Sequence, residues 1–241
     1  MIYCDEIQEL LPHNHGLGYD QQPIDYGELF LRALVTAIPK VPESYFRCSN
    51  ANQAVAEQIV EQCFQNTKKS PIKKAAFTYG ERAFCYELYH QLRVVLENIF
   101  YSGKPILHGE LKKETLKDVT KRHLQVKQLN KEYVPDFLLH SPGDFENQEV
   151  VMEVKTSPKL QVNHIIADIL KLDEFISTYH FNMGIFLAVN VSMDNLKAKL
   201  RKHADRLQHI ATASNIHIIS AENSENVLQT TLAEILEYNQ T

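Results

Sequence analysis

Residues 181–191 are apolar at nearly every position, and no other segment constrains the fold as tightly. A strand with one wet face alternates apolar and polar residues. A strand without alternation needs cover on both faces, as in the middle of a sheet with helices on either side. The neighbouring sequence can supply that cover. Residues 164–179 carry Ile165, Ile169, Leu172 and Ile176 at helical spacing, after Ser157-Pro158 has ended the preceding strand. Residues 195–213 are amphipathic and basic, with Lys197, Lys199, Arg201, Lys202 and Arg206 read as a solvated face, and residues 216–220 form a last short strand. The expectation is an α/β protein with a central sheet flanked by helices.

Two more strands are expected upstream, over residues 133–140 and 148–155, joined by a turn containing Pro142-Gly143-Asp144. Strand alternation puts Val134, Asp136, Leu138 and His140 on one face of the first. In the second, Val151, Glu153 and Lys155 share one face, and Val150, Met152 and Val154 the other. Charged groups thus interrupt faces that are otherwise apolar. Burying an unpaired carboxylate costs several kcal/mol, so Asp136 and Glu153 call for a neutralising partner. Hard oxygen ligands suit Mg²⁺ or Mn²⁺, which could be held by Asp136, Glu153 and the backbone carbonyl of Val154 and bind a phosphate oxygen in an open position, with Lys155 facing the same phosphate.

Pro135-Asp136, sixteen intervening residues, and then Glu153-Val154-Lys155 resemble the signature of the PD-(D/E)XK nuclease superfamily. The resemblance implies a restriction-endonuclease-like core with a mixed central sheet. It also implies a helix bearing a glutamate, followed by the first core strand. Residues 81–101 suit that helix, with Phe84, Leu88, Leu92, Val95 and Ile99 as its stripe and Ser102-Gly103-Lys104-Pro105 as its stop. Glu87 fits the helical acid, with Glu110, near the end of an expected strand over residues 105–112, as its rival. Asp168 and Lys171 match an Asp-x-x-Lys pair found in some nucleases of this kind, which would line the site or touch nucleic acid. An ordinary surface i, i+3 ion pair is slightly favoured over that role.

The resemblance further implies a metal-dependent hydrolase of phosphodiester bonds. DNA is the expected substrate, in an endonuclease of restriction, defence or repair type. Lys112 and Lys113 are candidate phosphate contacts. They belong to a stretch, residues 104–131, with eight Lys and Arg against three acids, although the whole chain carries a net charge of −5. A homodimer and an activating partner are compatible with the family, and no interface is legible. The alternative is a catalytically degenerate module that binds nucleic acid or protein on the same fold.

The remaining sequence narrows the class. With 241 residues, 44% of them hydrophobic, the chain can bury one full core, expected over residues 81–241, with residues 1–80 as a helical elaboration packed on it. Within that elaboration, residues 27–38 and 51–64 read as helices and 39–50 as a loop. No apolar run approaches the roughly 20 residues of a membrane span, and the first residues lack the pattern of a signal peptide, so a cytoplasmic protein is expected. Cys4, Cys48, Cys63 and Cys85 are scattered, which favours reduced thiols over disulfides or zinc.

Overall fold

The computed structural model describes residues 25–47, 71–97, 105–110, 133–141 and 148–237. Six strands make one sheet in chain order: β1 (Ile106–Gly109), β2 (Phe137–His140), β3 (Gln148–Lys155), β4 (Met183–Val189), β5 (Ile216–Ala221) and β6 (Val227–Thr231). Strands β1, β2 and β3 pair antiparallel, β3, β4 and β5 pair parallel, and β6 returns antiparallel on β5. The sheet is mixed, and its parallel centre is where the sequence is most continuously apolar.

Helices α1 (Tyr26–Ala37), α2 (Glu43–Arg47) and α3 (Pro71–Glu97) precede the sheet. Helices α4 (Val162–Tyr179), α5 (Met193–Lys202) and α6 (Leu232–Glu237) are distributed among and after the later strands. Alternation divides the strand side chains between two cores. Val150, Met152, Val154, Ile185, Leu187 and Ile219 bury against Phe30 and Leu34 of α1 and Phe84 and Leu88 of α3. Val151, Phe186, Ala188 and Ile218 bury against Ile165, Ile169 and Leu172 of α4 and Leu196 of α5. Full burial of each such large side chain contributes roughly 1.5–3 kcal/mol. Helix α4 lies close on the sheet because β4 offers Gly184 there: a Cβ at that position would stand 3.1 Å from both Leu172 Cβ and Ile176 Cδ1.

Several boundaries differ from the sequence expectations, each for a local reason. Strand β2 begins at Phe137 because Pro135, just before it, has no N–H to give to a ladder. Strand β1 stops at Gly109 because Glu110 takes a left-handed conformation (φ 46°) and donates its N–H to the Asp136 carbonyl at 3.0 Å. Helix α3 begins at Pro71, ten residues before the expected start, where a missing N–H costs nothing in a first turn. The expected division at residue 80 therefore falls inside a helix. The helix expected over residues 195–213 ends at Lys202. Beyond it, 3₁₀ turns at Ala204–Arg206 and Ala213–Asn215 flank the buried Leu207 and Ile210. Within the loop expected over 39–50 lie a 3₁₀ turn, Ile38–Lys40, and α2. Strand β6 and helix α6 were not expected at all. The Pro142-Gly143-Asp144 turn and the 51–64 helix lie outside the described residues.

Asn190 ties this frame together behind the site. Its backbone is left-handed (φ 63°), and its N–H donates to the Ala221 carbonyl at 2.8 Å. Its side-chain amide donates to Phe46 O at 2.8 Å and Thr156 O at 3.0 Å, joining α2, the residue after β3 and the end of β5. Among the described residues no helix is long and apolar enough to cross a membrane.

Candidate active site

The site forms where β2 begins and β3 ends. Phe137 pairs with Met152, and continuing that register brings Asp136 level with Glu153 and Pro135 level with Val154. The ladder has stopped there, so a side chain replaces the backbone acceptor: Asp136 Oδ2 receives the Val154 N–H at 2.7 Å. On the other side of the same residue, Lys155 Nζ donates to the Val154 carbonyl at 3.0 Å.

Two helices add further acids. Lys155 Nζ lies 3.5 Å from Glu81 Oε1 of α3 and 3.7 Å from Asp168 Oδ2 of α4, so the lysine at the strand end bridges both layers. Lys171 of α4 reaches Glu153 Oε1 at 2.5 Å; these side chains are 12% and 3% exposed. Lys171 also lies 3.4 Å from the Val134 carbonyl and 5.6 Å from the centre of the Tyr133 ring. Four carboxylates therefore meet two ammonium groups. The Lys171 contact with Glu153 is an ion pair without hydrogen-bond alignment: Glu153 Oε1 and Asp168 Oδ2 are buried oxygens that receive no hydrogen bond.

Burial and crowding of like charge show in the proton affinities. Glu153 is pushed up to about 8, first by burial and then by the Asp136 carboxylate, with Lys171 opposing both. Asp136 is also raised, mainly by burial, although the Val154 N–H and Lys155 pull it back. Glu81 is raised by burial, with Lys155 opposing. For Lys155, burial acts to lower the value, but Glu81, Asp168, Asp136 and Glu153 together outweigh it and hold the ammonium protonated.

Of the residues singled out in the sequence, Asp136, Glu153, Val154 and Lys155 come together. Lys171 enters the site interior rather than presenting its charge on an outer face. Asp168 and Lys171 each approach a β3 residue, so the expected surface i, i+3 pair is corrected to two contacts across to the sheet. A different acid of the helix reaches the site. Glu81 lies beside Lys155, whereas Glu87 accepts a 2.7 Å hydrogen bond from Gln91 of its own helix. Six residues of α-helix separate the two acids by about 9 Å along the axis and turn them onto different faces. The rival Glu110 pairs with Arg82 at 3.2 Å. Lys112 and Lys113 lie outside the described residues. Glu81 could have been found in the sequence: it stands three residues before Phe84 and seven before Leu88, an acid on the apolar stripe itself. Cys85, one turn further, is a buried free thiol whose proton is held tightly by burial and by the nearby Asp136 and Glu81 carboxylates.

The donor set suits a hard divalent cation in chemistry and in charge. Its acids outnumber its lysines, and two buried carboxylate oxygens, Glu153 Oε1 and Asp168 Oδ2, face an ammonium without receiving a hydrogen bond. Among the described residues no group of three or more His, Cys, Asp or Glu side chains is arranged to hold an ion. That arrangement differs from a zinc or calcium cage. It is compatible with Mg²⁺, which commonly takes one or two carboxylates and keeps several waters. No protein-family model, curated protein or solved structure matches the chain.

Proposed function

We propose that this protein is a metal-dependent phosphodiesterase of nucleic acid, with DNA as its expected substrate, built on a core of the PD-(D/E)XK kind. The observation that carries this reading is the meeting of Asp136, Glu153 and Lys155 on two antiparallel neighbours, in a buried site with more carboxylate than ammonium. The order of α3, β1, β2, β3, α4 and β4, with β4 parallel to β3, also supports it.

Asp136 and Glu153, with the Val154 carbonyl, would hold Mg²⁺ or Mn²⁺, which when bound supplies a water of lowered pKa and charge stabilisation at the phosphoryl and leaving oxygens. The hydrogen bond from Val154 fixes Asp136 against the strand that carries Glu153, so the acids are aligned before substrate arrives. Lys155 contributes a compact ammonium that binds a phosphate oxygen, orients the attacking water and offsets charge growing on the phosphorus centre. Glu81 and Asp168 hold that ammonium from two sides and keep it protonated.

A second reading, a catalytically silent module that binds nucleic acid or protein, draws support from the same lysines, since Lys171 on Glu153 and Lys155 by Asp168 also resemble a structural ion-pair network. Supercoiled plasmid, linear duplex, single-stranded DNA and RNA, each incubated with Mg²⁺ or Mn²⁺, with EDTA and with a Glu153→Ala control, separate the two. Metal-dependent cutting lost in the variant is the expected result. Cutting that survives EDTA or Glu153→Ala overturns the proposal, and a wild-type protein that neither cuts nor binds Mn²⁺ favours the silent module.

A further inference from the structure

Lys171 is the least conventional member of the cluster. Its ammonium touches the most buried carboxylate of the site at 2.5 Å, yet the oxygen it touches receives no aligned hydrogen bond. A contact of that kind supplies charge and little direction. Lys171 also has a second anchorage. The Val134 carbonyl stands 3.4 Å from Nζ, and the Tyr133 ring lies 5.6 Å away, held by a 3.0 Å hydrogen bond from its hydroxyl to Glu174 Oε2. A carbonyl and an aromatic face are both favourable seats for an ammonium. Lys155 differs, because its ion pairs are with Glu81 and Asp168.

We infer that Lys171 is the resident counter-ion of Glu153 in its ionised form: it holds that side chain in place in the metal-free protein and withdraws toward Val134 and Tyr133 when a divalent cation enters. This rests on the metal-dependent reading above. The physical reason is that an ammonium and a dication repel strongly when they share one carboxylate in a poorly screened site. Lys171 is therefore a positioning residue that sets metal affinity, and its presence makes the site bind metal more weakly than its acids alone would.

Isothermal titration of the full chain with Mn²⁺ tests this, comparing wild type, Lys171→Met, Lys171→Arg and Glu153→Gln, with thermal melting in EDTA as a check of folding. Lys171→Met is expected to bind Mn²⁺ about tenfold more tightly than wild type or better. Lys171→Arg, which keeps the charge, stays at or below wild-type affinity, and Glu153→Gln loses the binding. A merely structural lysine would lower the melting temperature on removal without tightening the metal. If Lys171→Met does not fold, Lys171→Gln, which keeps a donor toward Glu153 without the charge, makes the same comparison. A folded, uncharged variant that binds Mn²⁺ no more tightly than wild type overturns the inference while leaving the metal-dependent reading in place. Binding by the uncharged variant where wild type shows none supports it, and no Mn²⁺ binding by any of these proteins overturns both.

Discussion

Glu149 and Glu153 sit four residues apart on the same face of β3, and both are buried, at 7% and 3% exposure. Their surroundings are opposite in kind. Glu149 Oε2 accepts a 2.9 Å hydrogen bond from the Asn182 amide. Asn182 is itself fixed at both backbone groups: its N–H donates to Gln148 O at 2.9 Å and its carbonyl accepts from Asn215 at 3.1 Å. Glu153 instead faces Lys171 without hydrogen-bond alignment and lies near the Asp136 and Asp168 carboxylates. Burial of a carboxylate is thus no marker of function by itself. The marker is charge that the surrounding residues leave unmatched, because a structure under selection for stability alone gains nothing from it.

The comparison breaks most decisively in a cleavage assay. Glu153→Ala is expected to reduce plasmid cleavage by roughly a thousandfold or more, the scale of several kcal/mol of lost transition-state stabilisation. Glu149→Gln, which keeps an acceptor for Asn182, should cleave as wild type does. Equal losses in the two variants would show that the strand, and not the unmatched charge, governs activity.

Stability against pH sharpens the contrast. Folded Glu153 keeps its proton up to about 8, whereas the unfolded carboxyl releases it near its ordinary 4.5. Between those values the folded state binds more protons, so stability declines as pH rises from 4.5 to 8, by roughly 2–5 kcal/mol in metal-free protein. Asp136 and Glu81, also raised, act in the same direction. Urea unfolding in EDTA should show the decline in wild type and in Glu149→Gln, and a much flatter profile in Glu153→Gln. A wild-type profile that rises through this window would contradict the burial-driven shift.

A smaller effect is expected at Lys155. Replacing it by Ala should cut turnover about a hundredfold while leaving Mn²⁺ bound, as judged by calorimetry beside single-turnover cleavage. Retained wild-type turnover would remove Lys155 from the proposed chemistry. Smallest is Asn182→Ala, which strips the donor from Glu149 and should cost about 1–3 kcal/mol of unfolding free energy with little change in cleavage per folded molecule.

How much of this was legible in the sequence varies with how local its cause is. Strands β3 and β4 and helix α4 were expected nearly where they lie, because an unbroken apolar run and a three-four repeat each report burial directly. The alternation through Val151, Glu153 and Lys155 likewise placed the acid and the lysine on one face. Strand β6 escaped because Val227, Leu228, Gln229, Thr230 and Thr231 lie at a sheet edge, where partial exposure removes the pattern that marks a buried strand. The sequence expectation sets Glu87 against Glu110 and leaves Glu81 out, because a helix taken to start at Glu81 makes an interior acid look like a terminal one.

The chain by itself determined the α/β class, the covered central strands and the pairing of Asp136 with Glu153 and Lys155, since each follows from the order of apolar and charged residues along one or two strands. Only the tertiary structure decided that Glu81 and Asp168 converge on Lys155, and that Lys171 sits on Glu153 instead of on the surface. Those contacts join residues of two helices on opposite faces of the sheet, and the rotation and seating of a helix on a sheet depend on side-chain packing, such as the approach of Leu172 and Ile176 to Gly184. No periodicity within a single segment encodes that.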